Sequence, residues 1–206
     1  MPESEVARWD ERYRTGDTPW NTGRPDEELR RVLAEETIRP CRAVELGCGT
    51  GTNAVWLAQQ GFDVTAVDLA PRALERAEAR AKAAGVKVHF VAASVLEPPD
   101  LGGPFPFFFD RGCYHVVRRV DVAAFLRTLQ RVTAPGSTGL VLAGNAREPH
   151  DPGPPVVSEQ EIRDELGRVF EVVRLREFRF DSAPDRQEHF LGWSVLLRRG
   201  EVQPRG

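Results

Sequence analysis

The sequence predicts an α/β fold with a doubly wound, mostly parallel sheet. After Pro40, short apolar segments alternate five times with segments of helical periodicity. The last two apolar segments, residues 170–180 and 190–197, have no helical segment between them and are predicted to pair antiparallel. Five β–α alternations followed by such a pair indicate a seven-stranded sheet with helices on both faces and an antiparallel strand at the carboxyl end.

The strands of the alternating part are short, and acidic residues follow two of them. The predicted strands are residues 42–46, 62–67, 86–91, 105–109 and 138–143. Asp68 follows the second strand and Asp110 follows the fourth. The carboxyl ends of the strands form the binding edge of a doubly wound sheet. Both acids are therefore predicted to lie at that edge.

The helices between the strands have recognisable ends. One is predicted over residues 52–60 and is closed by Gly61, which is a favourable residue just after a helix. The next begins at Pro71 and is closed by Gly85. A third is predicted to begin at Asp121, as its N-cap, and to end before Pro135.

The clearest helix start in the sequence lies near the carboxyl end. Ser158 and Glu161 have the spacing of a capping box, and Val157 and Ile162 are placed as its hydrophobic staple. The prolines of residues 149–155 indicate a loop before this helix.

Size and charge narrow the class of protein. The 206 residues fit one compact domain, and Lys+Arg of 28 against Asp+Glu of 31 give a net charge of −3. No basic block is present, so a nucleic-acid partner is disfavoured. The charged amino terminus and the lack of any 18-residue apolar window predict neither a signal peptide nor a membrane span. We therefore expect a cytoplasmic location, and the sequence leaves the oligomeric state open.

Neither a disulfide framework nor a metal site is predicted. Three cysteines are too few and too scattered for a framework or a zinc site: Cys41, Cys48 and Cys113. The four histidines show no ligand spacing with acidic residues.

A glycine-rich loop directly follows the first strand and opens a helix. It reads Glu45-Leu46-Gly47-Cys48-Gly49-Thr50-Gly51. Glycines permit a tight turn and let backbone amides approach a ligand. Asp68 lies 17 residues after Gly51, at the end of the neighbouring strand, where a carboxylate can accept both hydroxyls of a ribose. The combination predicts a nucleoside-containing ligand.

The identity of the nucleoside ligand leaves alternatives. A dinucleotide fingerprint requires a small residue where Thr52 stands, and the loop lacks the Gly-Lys-Ser/Thr ending of a triphosphatase. An NAD(P)-dependent oxidoreductase and a noncatalytic cofactor-binding protein remain as alternatives, as does a loop in which the glycines only shape a turn.

The spacing Glu-x-Gly-x-Gly-x-Gly resembles motif I of class I S-adenosylmethionine-dependent methyltransferases. The resemblance implies a Rossmann-like fold, S-adenosyl-L-methionine as cofactor and S-adenosyl-L-homocysteine as product. It implies that the motif I residues contact the methionine part: Glu45, Gly47, Cys48, Gly49 and Gly51. It places Asp68 and Leu69 at the ribose, Ser94 and Val95 at the adenine, and Asp110 at motif IV, facing the methyl group. Ser94 stands where the family usually has an acid.

Aromatic residues before the sheet form a second pattern. Trp9, Tyr13 and Trp20 resemble the start of thiopurine S-methyltransferases and of plant halide/thiol methyltransferases, in which such residues cover the cofactor. The simpler interpretation is that they seal the first helix onto the core. Asp110-Arg111 also matches a pair of the thiopurine enzymes whose arginine contacts the cofactor. We interpret residues 1–206 as a single domain with a helical lid, residues 1–38, and a core, residues 39–206.

Either of two arginines is placed to bind the carboxylate of the cofactor. Arg111 follows the fourth strand and Arg24 lies in the amino-terminal loop. A guanidinium forms charge-assisted hydrogen bonds with a carboxylate. For Arg24, a solvated loop charge is an equally good interpretation.

The substrate side is predicted just after Asp110, in Asp-Arg-Gly-Cys-Tyr-His. His115 is the best candidate for a catalytic base, with hydrogen bonding inside the structure as its alternative, and Asp110 is the second catalytic candidate. Cys113 and Tyr114 flank His115, but direct transfer from the cofactor needs no cysteine nucleophile. Weaker pocket candidates are Asn145 and His150.

Methyl transfer mainly requires alignment of donor and acceptor, since the cofactor sulfur is already activated. A thiol, with a pKa of about 8.5, needs little help to ionise. The resemblance to the thiopurine and halide/thiol methyltransferases therefore implies methylation of a small molecule, a thiol first and a small carboxylate or phenol second.

Overall fold

The computed structural model describes residues 3–149, 153–181 and 189–200. The helices in these residues are α1 (Glu3–Thr15), α2 (Glu27–Glu35), α3 (Thr52–Gln59), α4 (Pro71–Ala84), α5 (Tyr114–Val132) and α6 (Glu159–Leu166). The strands are β1 (Arg42–Leu46), β2 (Asp63–Asp68), β3 (His89–Ala92), β4 (Phe107–Arg111), β5 (Thr138–Asn145), β6 (Val156–Val157), β7 (Glu171–Arg179) and β8 (Leu191–Arg198).

The main strands form one sheet in the order β3-β2-β1-β4-β5-β8-β7. The first five are mutually parallel, whereas β8 runs antiparallel to both β5 and β7. The two-residue strand β6 pairs with the end of β5 and was not predicted. The predicted doubly wound sheet with an antiparallel carboxyl-terminal strand is confirmed.

Helix α5 corrects one sequence prediction. It begins at Tyr114, seven positions before the predicted start at Asp121. Asp121 has non-helical backbone angles (φ −157°, ψ 91°) and its Oδ1 accepts the Ala124 N–H at 2.8 Å, so it caps only the second half of a kinked helix. The first half was missed because its cap is Asp110, whose carboxylate accepts the N–H groups of Cys113 and Tyr114.

Some strand boundaries also differ from the prediction. Strand β3 begins at His89 because Val86 still belongs to the turn that closes α4, where its N–H donates to the Ala81 oxygen at 3.1 Å. Strand β4 begins after Pro106, which has no N–H to donate to a sheet. Strand β5 extends two residues beyond the prediction, to Asn145.

The core lies on both faces of the sheet. Side chains of β4 alternate, so that Phe107 and Phe109 pack with α2, α3 and α4 on one face, and Phe108 packs with α5 and α6 on the other. The capping box at Ser158 and Glu161 is confirmed, and it starts α6 on the second face. In the part of the chain that the structure describes, no helix is long and apolar enough to cross a membrane.

The register of the parallel strands places their carboxyl ends side by side. Leu46 pairs with Val67 of β2 and with Asp110 of β4. The glycine loop, Asp68 and Asp110 therefore lie at the same edge of the sheet, as predicted.

Candidate functional site

The three loop glycines all have left-handed backbone angles, with φ of 71° at Gly47, 53° at Gly49 and 70° at Gly51. Only glycine adopts this conformation without steric cost. The N–H groups of Gly47 and Cys48 both donate to the Val67 oxygen of β2, at 2.8 and 3.0 Å. The loop therefore turns back over the ends of β1 and β2.

Each glycine also lies where a side chain would collide with a neighbour. A Cβ at Gly47 would lie 2.6 Å from the Cβ of Cys113, and one at Gly51 would lie 2.7 Å from the Cβ of Ala77 in α4. At Gly49 the neighbour is the hydroxyl of Tyr13, at 2.8 Å. The amino-terminal helix thus reaches the middle of the glycine loop.

Asp68 holds the glycine loop from the end of β2. Its Oδ2 accepts the Gly49 N–H at 2.7 Å and its Oδ1 accepts the Ala70 N–H at 2.9 Å. The side chain is half-buried, and burial raises the pKa of the carboxyl above its ordinary value. Each oxygen keeps acceptor capacity for a further donor. A half-buried carboxylate beside a glycine loop fits a ribose diol.

Glu45 lies beneath the loop with only 2% of its surface exposed. Its Oε1 accepts the Asn53 Nδ2–H at 3.4 Å, whereas its Oε2 is buried without a hydrogen-bond partner. Burial raises the pKa of this carboxyl to about 8. An unpaired buried carboxylate oxygen is costly, and a cation at this point would satisfy it. The site therefore fits the ammonium group of a bound amino acid part.

The predicted adenine-side residues lie next to Asp68. The Ala93 N–H donates to the Asp68 backbone oxygen at 3.0 Å, which brings the end of β3 against the end of β2. Ser94 is half-buried and its Oγ accepts the Leu96 N–H at 3.1 Å, while Val95 belongs to the core. Leu69 is half-buried between Asp68 and α4. The structure thus brings the predicted ribose and adenine residues together.

The aromatic residues of the amino terminus form one cluster on the glycine loop. Tyr13 is 4% exposed, and its hydroxyl accepts the Trp20 Nε1–H at 3.3 Å. The rings of Trp9 and Trp20 pack edge to face with centroids 5.6 Å apart. Helix α4 holds α1 in place, because the Arg76 guanidinium donates to the backbone oxygen of Tyr13 at 2.7 Å. Trp9, Tyr13 and Trp20 therefore occupy neighbouring positions, as expected.

Arg111 contacts the amino-terminal segment. Its guanidinium donates to the carboxylate of Asp26, to the Trp20 oxygen at 3.1 Å and to the Asp181 oxygen at 3.5 Å. The Arg111 guanidinium was expected to bind the cofactor carboxylate, but in this structure it already donates to these three partners. Arg24 is exposed, which agrees with the interpretation as a solvated loop charge.

The environment of His115 does not favour its predicted role as a base. The ring is buried, and its Nδ1 accepts the Gly144 N–H at 2.8 Å. Burial, with the nearby charge of Arg111, lowers the pKa of His115 to about 3. A histidine with such a pKa takes up a proton poorly at neutral pH. The alternative interpretation, hydrogen bonding inside the structure, is the one that the contacts support.

Asp110 is fully buried, and its side chain lies against the first residues of α5. Its carboxylate oxygens accept the N–H groups of Cys113 and Tyr114 at 2.9–3.1 Å. Burial raises the pKa of Asp110 to about 7. The same burial raises the pKa of the Cys113 thiol well above its ordinary value. Asp110 thus lies at the predicted edge of the sheet, but its carboxylate is hydrogen-bonded to the backbone at the start of α5.

The remaining predicted pocket residues are engaged within the fold. Asn145 is buried, and its amide donates to Glu177 at 3.3 Å. Tyr114 donates its hydroxyl to Glu165 at 2.8 Å. His150 lies outside the described residues. Within those residues no cluster of His, Cys, Asp and Glu has the geometry of a metal site.

Two residues that sequence reasoning did not assign to the site join its parts. Asp26 was predicted only as an N-cap, and Asn53 was not singled out. The Asn53 side-chain oxygen accepts the Asp26 N–H at 2.9 Å, while its amide nitrogen donates to Glu45. The position of Asn53 in the first turn after the glycine loop was the one available signal.

The sequence is similar to a known protein family and to several named proteins. Residues 43–136 match the family described as Methyltransferase domain. A 2-heptyl-1-hydroxyquinolin-4(1H)-one methyltransferase of Mycobacteroides abscessus is 27% identical over 157 residues, which are 75% of this chain and 69% of that protein. A probable thiol methyltransferase 2 of Arabidopsis thaliana is 30% identical over 76 residues, 37% of this chain and only 34% of that protein.

Solved structures share the fold. One, described by the conversion of a disulfide bond into a thioacetal group during echinomycin biosynthesis, has a TM-score of 0.83 at 23% identity and covers 97% of this chain and 93% of its own. The N-methyltransferase NodS from Bradyrhizobium japonicum, in complex with S-adenosyl-L-homocysteine, has a TM-score of 0.67 at 19% identity over 85% of each chain. Together with the glycine loop and Asp68, these likenesses indicate an enzyme that contains a methyltransferase domain and uses S-adenosyl-L-methionine as cofactor.

Proposed function

We propose that this enzyme methylates a small molecule whose acceptor atom ionises without an enzymatic base, with a thiol as the first choice. The observation that carries the proposal is the state of the two predicted catalytic groups. His115 is buried with a low pKa and its Nδ1 in use, and Asp110 caps α5. Both carboxylate oxygens of Asp110 and the Nδ1 of His115 already accept hydrogen bonds inside the fold, which supports an acceptor that needs no enzymatic base.

The chemistry of such a reaction is compatible with this site. The acceptor loses its proton to solvent, and its lone pair then forms a bond to the methyl carbon while the bond from that carbon to the sulfonium breaks. A thiol with a pKa of about 8.5 is partly ionised at neutral pH, whereas an aliphatic alcohol is not. The enzyme contributes alignment, which is worth large effective molarities.

The comparisons support two acceptor classes. The relative from Arabidopsis thaliana is named for thiol methylation, and the structural neighbour from echinomycin biosynthesis is described by sulfur chemistry. The relative from Mycobacteroides abscessus is named for a hydroxyquinolinone. An acidic hydroxyl on an aromatic ring is therefore the second candidate, and it too ionises without a strong base.

The proposal includes a lid, residues 1–38, over a core, residues 39–206. Tyr13 packs on Gly49, and Trp20 bonds Tyr13, so the aromatic cluster covers the loop that would hold the cofactor. Aromatic rings attract a sulfonium by about 0.5–2 kcal/mol and exclude water from the reaction. The residues that would hold the cofactor are Glu45, Gly47, Cys48, Gly49, Gly51, Asp68, Leu69, Ser94 and Val95.

The test measures release of S-adenosyl-L-homocysteine with thiols, hydroxyquinolines, phenols, carboxylic acids and aliphatic alcohols. We expect turnover of thiols first and of acidic aromatic hydroxyls second, with no turnover of alcohols. For each active acceptor, kcat/KM should rise with pH through the pKa of the acceptor itself. A pH profile that has one fixed pKa for all acceptors would show an enzymatic base and contradict the proposal.

Asp68→Ala is the companion variant in this assay. Loss of the ribose-binding carboxylate should abolish turnover of every acceptor and binding of S-adenosyl-L-homocysteine in calorimetry. If this variant binds with normal affinity, the ribose assignment of Asp68 is wrong.

A further inference from the structure

The segment between α1 and α2 is fixed to the core at several points. The Asn21 side-chain oxygen accepts the Thr50 hydroxyl at 3.0 Å, beside the glycine loop. The Asp26 N–H donates to Asn53 at 2.9 Å, and the Glu27 N–H donates to the Asp181 carboxylate at 3.2 Å. These contacts join residues 20–28 to α3 and to the end of β7.

An almost buried ion pair lies at the centre of these contacts. The side chains of Arg111 and Asp26 are only 12% and 2% exposed. The Arg111 Nε–H donates to one oxygen of Asp26, while the other oxygen accepts the N–H groups of Glu28 and Leu29 and caps α2. One carboxylate therefore both starts α2 and binds the end of β4.

Arg111 also contacts the aromatic cluster. Its Nη1 donates to the backbone oxygen of Trp20 at 3.1 Å, and the indole of Trp20 donates to the Tyr13 hydroxyl. That hydroxyl lies directly over Gly49. A residue on β4 is thus connected to the aromatic rings above the glycine loop by two hydrogen bonds in sequence.

A second connection leads to the base of the loop. Asn53 accepts from the Asp26 backbone and donates to Glu45, whose other carboxylate oxygen is unpaired. The orientation of the Asn53 amide is therefore set by both neighbours. The same amide therefore contacts both Glu45 and the amino-terminal segment.

We propose that Arg111 and Asp26 are positioning residues that lock the amino-terminal segment over the cofactor loop, with Asn53 coupling the lock to Glu45. Arg111 acts through Asp26 and Trp20, and not as a ligand of the cofactor carboxylate. The proposal rests on the proposed lid function, but the lock is measurable in the free protein without any acceptor.

Asp26→Asn is the decisive variant, because asparagine is as good an N-cap as aspartate, whereas its amide nitrogen, in place of the oxygen that faces Arg111, cannot accept the Arg111 Nε–H. Hydrogen–deuterium exchange of residues 9–28 reports local opening of the segment. We expect exchange there to rise on the order of tenfold, and affinity for S-adenosyl-L-homocysteine to fall on the order of tenfold, as for loss of a charged hydrogen bond. Exchange in residues 122–143, in the second half of α5 and in β5, should not change.

Two further variants complete the test. Arg111→Lys keeps the charge but cannot reach Asp26 and the Trp20 oxygen together, so it should open residues 9–28 by a smaller factor. Glu159→Gln removes an exposed pair with Arg163 on α6 and should alter neither exchange nor affinity.

The outcomes separate the lock from a general structural role and from the proposed function. Unchanged exchange and affinity in Asp26→Asn would overturn the lock. Equal acceleration in residues 9–28 and 122–143 would also overturn it, because the pair would then stabilise the whole fold. If the unmodified protein fails to bind S-adenosyl-L-homocysteine, the proposed function fails, while the exchange data still decide whether the pair holds the segment.

Discussion

Gly47, Gly49 and Gly51 share a positive φ, yet each meets a different part of the molecule. Gly47 meets the turn after β4, Gly51 meets α4, and Gly49 meets the Tyr13 hydroxyl of the amino-terminal helix. The sequence motif explains the shared conformation. The separate neighbours explain why each position also excludes a methyl group.

Gly49→Ala should therefore be more costly than its backbone strain alone. An alanine in the left-handed conformation costs about 1–2 kcal/mol, and the new Cβ would lie 2.8 Å from the hydroxyl oxygen of Tyr13. We expect the free energy of unfolding to fall by about 2–5 kcal/mol, since overpacking adds about 1–3 kcal/mol. Urea denaturation followed by circular dichroism measures the loss.

Gly16→Ala is the matched control for this substitution. Gly16 has a φ of 81° with no atom within 4 Å of the added Cβ, so it reports the backbone strain alone. Tyr13→Phe, which removes the colliding hydroxyl, should recover part of the loss in Gly49→Ala. Equal losses at Gly16 and Gly49 would show that Tyr13 does not press on the loop.

At the scale of elements, α5 and α6 differ in what determines where the helix begins. Helix α6 begins at its own capping box, in which Ser158 Oγ accepts the Glu161 N–H and the Glu161 carboxylate accepts the Ser158 N–H. Helix α5 begins at Tyr114, where the carboxylate of Asp110 from β4 accepts the N–H groups of Cys113 and Tyr114. The start of α6 can therefore be predicted from the sequence, whereas the start of α5 depends on where the sheet places Asp110.

Ser158→Ala should destabilise the protein by about 1 kcal/mol, the usual cost of removing an N-cap. The free energy of unfolding in urea is the measurement, and Ser158→Thr, which keeps a capping hydroxyl, should recover most of the loss. A loss in Ser158→Thr as large as in Ser158→Ala would show that the hydroxyl does not act as a cap.

At the scale of the whole molecule, burial of acids at the binding edge makes stability depend on pH. The N–H groups that cap Asp110 only partly offset its burial, and the pKa of Asp110 is about 7, while the pKa of Glu45 is about 8. A raised pKa means that the folded state binds more protons than the unfolded state between the two values. The stability from these groups is thus complete below their ordinary pKa and is lost as pH rises toward 7 and 8. Buried His115 has the opposite effect, but only below its ordinary pKa of 6.5.

We therefore expect the cofactor-free protein to lose stability from pH 6.5 to pH 8. The slope from Glu45 alone is at most about 1.4 kcal/mol per pH unit. Glu45→Gln, which does not titrate, should flatten the curve of unfolding free energy against pH. An unaltered slope in Glu45→Gln would contradict a raised pKa at Glu45.

The order of elements and the binding edge were open to prediction because they rest on local patterns. Apolar periodicity gave β1 its bounds of Arg42–Leu46, and the spacing of Asp68 from the glycine loop placed it beside Gly49. Such patterns act within a few residues or through the fixed geometry of parallel strands. Boundaries such as the start of α5 were missed where a side chain from a neighbouring element supplies the cap.

The sequence by itself determined the doubly wound sheet, the glycine loop and its acid, and through them the methyl donor. Only the tertiary structure decided the environment of the other site residues. The ion pair of Arg111 with Asp26 joins positions 85 residues apart, and burial leaves His115 with a pKa of about 3. Burial and long-range pairing depend on which elements pack together, and no local pattern in a single sequence encodes that packing.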